Sequence, residues 1–91
     1  MHILLIEDDQ SVAEFVEKGF IDKGQIITHA AKGTDGLGLA KDEVYDAIII
    51  DRMLPEIDGL SIVKALRDEG DTTPILILSA LGEVSDRIDG L

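Results

Sequence analysis

The stretch Tyr45-Asp46-Ala47-Ile48-Ile49-Ile50-Asp51 constrains the chain most, because its apolar run stops on a carboxylate. A run this uniform reads as a strand buried on both faces, and such strands belong to parallel sheets with helices on either side. Asp51 then sits at a carboxyl edge of the sheet, where open α/β sheets bind ligands. Its position alone makes it a candidate site residue.

The rest of the chain follows the same grammar. His2-Ile3-Leu4-Leu5-Ile6 is a first strand that ends abruptly in Glu7-Asp8-Asp9. Ser11-Val12-Ala13-Glu14 matches a capping box, and Val12, Phe15, Val16 and Phe20 give one helical stripe before the stop at Lys23-Gly24. Residues 25–30 form a short second strand. Lys32-Gly33-Thr34-Asp35 then offers a loop and an N-cap for a second helix packed through Leu37, Leu39, Ala40 and Val44. Gly36 and Gly38 each cost that helix up to ~1 kcal/mol relative to Ala, so packing has to hold it. Asp58-Gly59 marks a turn into a third helix with Leu60, Val63 and Leu66 on its apolar side. Ile75-Leu76-Ile77-Leu78 is a fourth buried strand ending in Ser79-Ala80, and residues 83–91 read as the start of a fourth helix. Strands alternating with helices imply right-handed crossovers and a parallel sheet, so the fold class is α/β.

Ninety-one residues make one small domain, and 45% hydrophobic content allows a modest core. The absence of cysteine excludes disulfides and thiolate metal sites and fits a reducing compartment, so the expected location is the cytoplasm. No basic leader precedes the first apolar run and no run approaches membrane-spanning length. With 8 basic against 19 acidic residues, a net charge of −11 repels phosphate backbones and attracts cations. Direct nucleic-acid binding is not expected, whereas cation binding is. Two neighbouring parallel strands ending in Glu7-Asp8-Asp9 and in Asp51 bring several like charges together. Such a cluster needs protonation or a hard divalent cation, and magnesium suits oxygen ligands. The competing explanation is that an acid here merely favours the start of the first helix, and it accounts for Asp9 better than for Asp8.

Three blocks carry a resemblance: Leu4-Leu5-Ile6-Glu7-Asp8-Asp9, the segment from Asp46 through Asp51-Arg52-Met53-Leu54-Pro55-Glu56-Ile57-Asp58-Gly59, and Ile75-Leu76-Ile77-Leu78-Ser79-Ala80. In this order and spacing they resemble the receiver domain of two-component response regulators, and the loops are most similar to those of OmpR/PhoB-type regulators. The resemblance implies a flavodoxin-like doubly wound sheet in which Asp51 is the phosphoacceptor for a sensor-kinase histidine. It implies that Glu7, Asp8, Asp51 and the backbone carbonyl of Met53 hold Mg2+, and that Ser79, with Ala80 beside it, senses the phosphate. Pro55 and Gly59 match the loop after the phosphoacceptor, where Pro fixes φ and Gly allows a positive φ. The implied module is not an enzyme beyond self-directed phosphoryl transfer and autodephosphorylation. Its implied partners are a sensor histidine kinase and, in the parent protein, a winged-helix DNA-binding output domain. His2 and His29 lack partner ligands at metal spacing and read as structural, Phe15, Phe20 and Tyr45 read as packing residues, and the Arg52 side chain is given no role.

The sequence also departs from that family. A complete receiver has strand order 2-1-3-4-5, and residues 1–91 hold a single truncated receiver with order 2-1-3-4, the fifth βα unit missing and the fourth helix incomplete. The lysine that ends the family's fifth strand has no counterpart, the last lysine being Lys64 on the third helix. An unpaired fourth strand would be a template for another chain, so self-association to a homo-oligomer is expected. The alternative reading is a signalling-incompetent fragment that assembles through that strand. A haloacid-dehalogenase-like phosphatase would need an aspartate where Met53 stands, and a nucleotide-binding α/β protein would need a glycine-rich loop in place of Glu7-Asp8-Asp9.

Overall fold

In the computed structural model, which describes residues 1–78 and the backbone of Val84–Asp89, each apolar run becomes a strand. The strands are β1 (His2–Ile6), β2 (Ile26–Ala30), β3 (Ala47–Asp51) and β4 (Ile75–Leu78), with α1 (Gln10–Ile21), α2 (Gly33–Asp42) and α3 (Gly59–Asp68) between them. β1 pairs in parallel with both β2 and β3, and β3 with β4, giving the expected order 2-1-3-4. Side chains alternate between two sheet faces, which is why uninterrupted apolar runs suit strands covered on both sides. Leu4, Ile6, Ile48, Ile50, Ile75 and Ile77 pack under α2 and α3, with Ala40 of the former and Ile62, Val63 and Leu66 of the latter. Ile3, Leu5, Ile49 and Leu78 face α1 instead, around the fully buried Ala13.

The C-terminal segment differs from expectation. In place of a fourth helix over residues 83–91, Val84–Asp89 forms β5, antiparallel to β4. The connection from Leu78 to Val84 is far shorter than the roughly dozen residues a parallel crossover needs, so a strand returning here must run antiparallel. The sheet order is therefore β2-β1-β3-β4-β5. β4 is not an edge, and self-association through an open fourth strand loses its premise. Among the described residues, one sheet face is short of cover. Beside α1 an apolar groove of about 520 Å³ is lined by Phe15, Val16, Phe20, Ile49, Leu76 and Leu78.

Several local expectations also change. α1 is capped by Asp9, whose Oδ1 accepts from the amides of Ser11 (2.9 Å) and Val12 (3.2 Å), so Ser11 lies inside the helix and is not its cap. Phe15 belongs to the sequence stripe but is 82% exposed, because it reaches over the uncovered groove. Val44 was expected to pack, yet it is 92% exposed, since α2 ends at Asp42 and Glu43 turns the chain out of helical register. Gly36 earns its place in α2: a Cβ there would collide with the Ile6 side chain, so the missing methyl lets the helix lie directly on β1. No helix among the described residues is long and apolar enough to cross a membrane.

Candidate functional site

The strand register sets up the site. Ile6 on β1 is level with Ile50 on β3, so the next residues, Glu7 and Asp51, leave the sheet side by side. Asp8 follows at once, and Glu7, Asp8 and Asp51 each offer a carboxylate oxygen with all these atoms within 4.8 Å of one another. The three acids differ in environment: Glu7 is buried at 3% exposure, Asp51 is partly buried and Asp8 is exposed.

Burial, together with a hydrogen bond to Asp51 and the charge of that carboxylate, pushes the Glu7 carboxyl up to about 8, while the Asp9 amide works in the opposite direction. That amide donates to Glu7 Oε2 at 3.2 Å. Across the cluster the Met53 amide donates to Asp51 Oδ1 at 3.0 Å. The loop carrying Met53 is held at three points. The Arg52 amide donates to Leu78 O at 3.0 Å, the Gly59 amide to Arg52 O at 3.0 Å, and Leu54 is buried in the core. Gly59 does not adopt the positive φ expected of it; Gly24 and Gly70 do so among the described residues. Gly59 is needed for a different reason, because a Cβ there would strike the backbone oxygen of Asp51.

The donor set tests the fit of a metal. Three oxygen donors converge at one point, and one of them is so poorly solvated that it tends to keep its proton. That charge crowding is what a hard cation relieves. Glu7, Asp8 and Asp51 are thus residues that can hold a divalent ion.

Of the residues singled out in sequence, Glu7, Asp8 and Asp51 are brought together, and Met53 stands beside them through its amide. Pro55 is exposed on the loop and Gly59 underlies Asp51. Ser79 and Ala80 lie outside the described residues. His2 is structural, with Nε2 2.7 Å from Thr28 Oγ1 and its ring 4.6 Å from that of the buried Tyr45. Lys64 pairs with Asp68 on the exposed side of α3 at 2.9 Å. Backbone donors, the amides of Asp9 and Met53, were the part of the site that residue types do not announce.

Fold and site define a flavodoxin-like α/β protein with a carboxylate cluster where nucleotide-binding relatives of that architecture carry a glycine-rich loop. The chain belongs to the response regulator receiver domain family, whose pattern residues 3–91 match. It is 41% identical over its whole length to the probable transcriptional regulatory protein SilR of Salmonella typhimurium, of which it covers 40%. The chain thus spans well under half the length of that relative. Among solved structures it superposes on the Francisella response regulator 1452 receiver domain with a TM-score of 0.84 at 39% identity, covering 90% of this chain and 68% of that one. It also superposes on the receiver domain of the sensor histidine kinase PA1611 of Pseudomonas aeruginosa, determined with a magnesium ion coordinated in its active-site cleft. The TM-score is 0.81 at 33% identity, over 87% of this chain and 66% of that one.

Proposed function

We propose that Asp51 accepts a phosphoryl group from a phosphohistidine of a sensor kinase, in a pocket where Glu7, Asp8 and Asp51 hold Mg2+. The observation that carries this reading is the convergence of the three carboxylates within 4.8 Å at the carboxyl edge of the sheet. The magnesium ion of the PA1611 receiver supports the choice of metal. When bound, the ion supplies the electrostatic stabilisation that an anionic nucleophile and anionic phosphoryl oxygens require of each other.

The chain's own residues do the positioning. A carboxylate oxygen of Asp51 forms the new O–P bond as the N–P bond of the donor breaks, and the electron pair returns to the imidazole. The Met53 amide on Oδ1 fixes the rotation of that carboxylate. The close approach of Gly59 to the Asp51 backbone seats the strand end against α3. In the same loop Met53 would offer its backbone carbonyl to the metal, and Ser79 with Ala80 would be the residues that sense the new phosphate. The protein is a phosphoacceptor and not an enzyme acting on a separate substrate. It works in the cytoplasm beside a sensor kinase, and in a longer parent chain it governs a DNA-binding output domain.

The test is intact mass after incubation with Mg2+ and a small acyl phosphate. One added phosphoryl group is expected, lost in Asp51→Asn and lost on chelation of the metal. An adduct that persists in Asp51→Asn would move the acceptor elsewhere.

A further inference from the structure

Glu7 lies one residue beyond β1, where the ladder to β2 no longer dictates what its backbone bonds to. Its amide still reaches Ala30 O at 3.1 Å. Its carbonyl oxygen is met by a side chain: His29 Nε2 lies 2.8 Å away. A carbonyl only accepts, so Nε2 carries the hydrogen and donates it. The other ring nitrogen, Nδ1, stands 3.4 Å from Glu17 Oε1 on α1, and the ring is 19% exposed. The imidazole is therefore wedged between the helix and the end of the first strand. This histidine has no metal-like spacing in sequence, and only the parallel register, which sets His29 opposite Leu5, brings it to Glu7.

We propose that His29 is a positioning residue for the carboxylate cluster, acting by tethering the peptide group that joins Glu7 to Asp8. That peptide is planar, so fixing its oxygen fixes the plane from which both residues set out. One hydrogen bond thereby orients two of the three acids, while the Asp9 amide on Glu7 Oε2 holds the side chain from the other end. Loss of a group that orients the residues of a metal site without touching the ion typically costs about 10–100-fold in metal affinity. The inference rests on the reading of the cluster as a Mg2+ site. It assigns His29 no contact with ion or phosphate.

The experiment is a Mg2+ titration of the intact protein followed by backbone amide resonances, with the metal-free thermal midpoint of each variant measured alongside. His29→Leu keeps bulk but removes the donor, and it is expected to weaken Mg2+ binding about 10-fold or more. His29→Gln places an amide donor where Nε2 stood and is expected to bind Mg2+ nearly as the wild type does, even if its midpoint falls as far as that of His29→Leu. Unchanged affinity in His29→Leu would overturn the proposal. Equal weakening in the Leu and Gln variants would overturn it too, because loss of packing gives that pattern. If His29→Leu does not fold, His29→Asn, whose donor stops short of the carbonyl, takes its place with the same expected loss and the same overturning result. A wild-type protein that binds no Mg2+ would remove the metal reading itself, an outcome distinct from a wild type that binds while the His29 variants are indifferent.

Discussion

At the scale of the residue, Glu7 carries a consequence that can be measured without a phosphodonor. Its carboxyl is raised from 4.5 to about 8, chiefly because burial disfavours the charged form. The folded state therefore holds this proton more tightly than the unfolded chain does. The resulting stabilisation is full below pH ~4.5 and is lost progressively as pH rises through about 8. Metal-free protein is expected to lose stability across that window in urea titrations, and Glu7→Gln, which carries no titrating group, is expected to flatten this part of the profile. Saturating Mg2+ should flatten it as well, since the ion favours the ionised carboxylate. A slope unchanged by Glu7→Gln would assign the dependence to other acids. The three carboxylates were legible in sequence because each follows an apolar run that ends abruptly. The ranking among them was not, because burial of Glu7 and exposure of Asp8 depend on how β1 meets β3 and the loop after it. His29 was legible only as a strand residue, because its partner is a backbone oxygen 22 positions away.

At the scale of the element, two pairs of near-identical residues separate by context. Gly36 and Gly38 are both helical, but a Cβ at 36 meets Ile6 while one at 38 meets nothing. Gly38→Ala is expected to stabilise by ~0.5–1 kcal/mol through the unfolded-state entropy of glycine. Gly36→Ala should destabilise by ~1–3 kcal/mol through overpacking of β1. Likewise Asp9→Ala is expected to cost ~1 kcal/mol by leaving the α1 amides uncapped, whereas Ser11→Ala should leave stability within ~0.5 kcal/mol of wild type. Both pairs are read by equilibrium urea unfolding of the metal-free protein, away from the titration of Glu7. Helical periodicity placed α1, α2 and α3 correctly, but the capping-box pattern put the cap of α1 at Ser11 when Asp9 holds it, because either residue type suits that position. Residues 83–91 show the limit more clearly. Their pattern allows a helix, but an unpaired row of backbone groups on β4 gives Val84–Asp89 a reason to be a strand that lies outside the segment's own sequence.

At the scale of the whole molecule, the net charge of −11 and the carboxylate cluster oppose compaction in different ways. Diffuse repulsion is screened by any salt, and screening tightens as the Debye length falls from ~10 Å at 0.1 M to ~3 Å at 1 M. Relief of the cluster requires an ion seated among Glu7, Asp8 and Asp51. Sodium chloride should therefore raise metal-free stability gradually and level off as screening nears completion, as expected for a chain carrying excess like charge. Magnesium chloride at matched ionic strength should add a further increment that grows with the logarithm of the free ion above its Kd, and by linkage it reaches ~1.4 kcal/mol when the ion is at about ten times its Kd. Asp8→Ala separates the two contributions, because Asp8 is exposed and outside the packed core, so its loss should leave the sodium response in place while removing the magnesium increment. If both salts act alike at equal ionic strength in the wild type, the acids behave as a diffuse surface charge. If the magnesium increment survives Asp8→Ala undiminished, the ion sits among other acids of this chain.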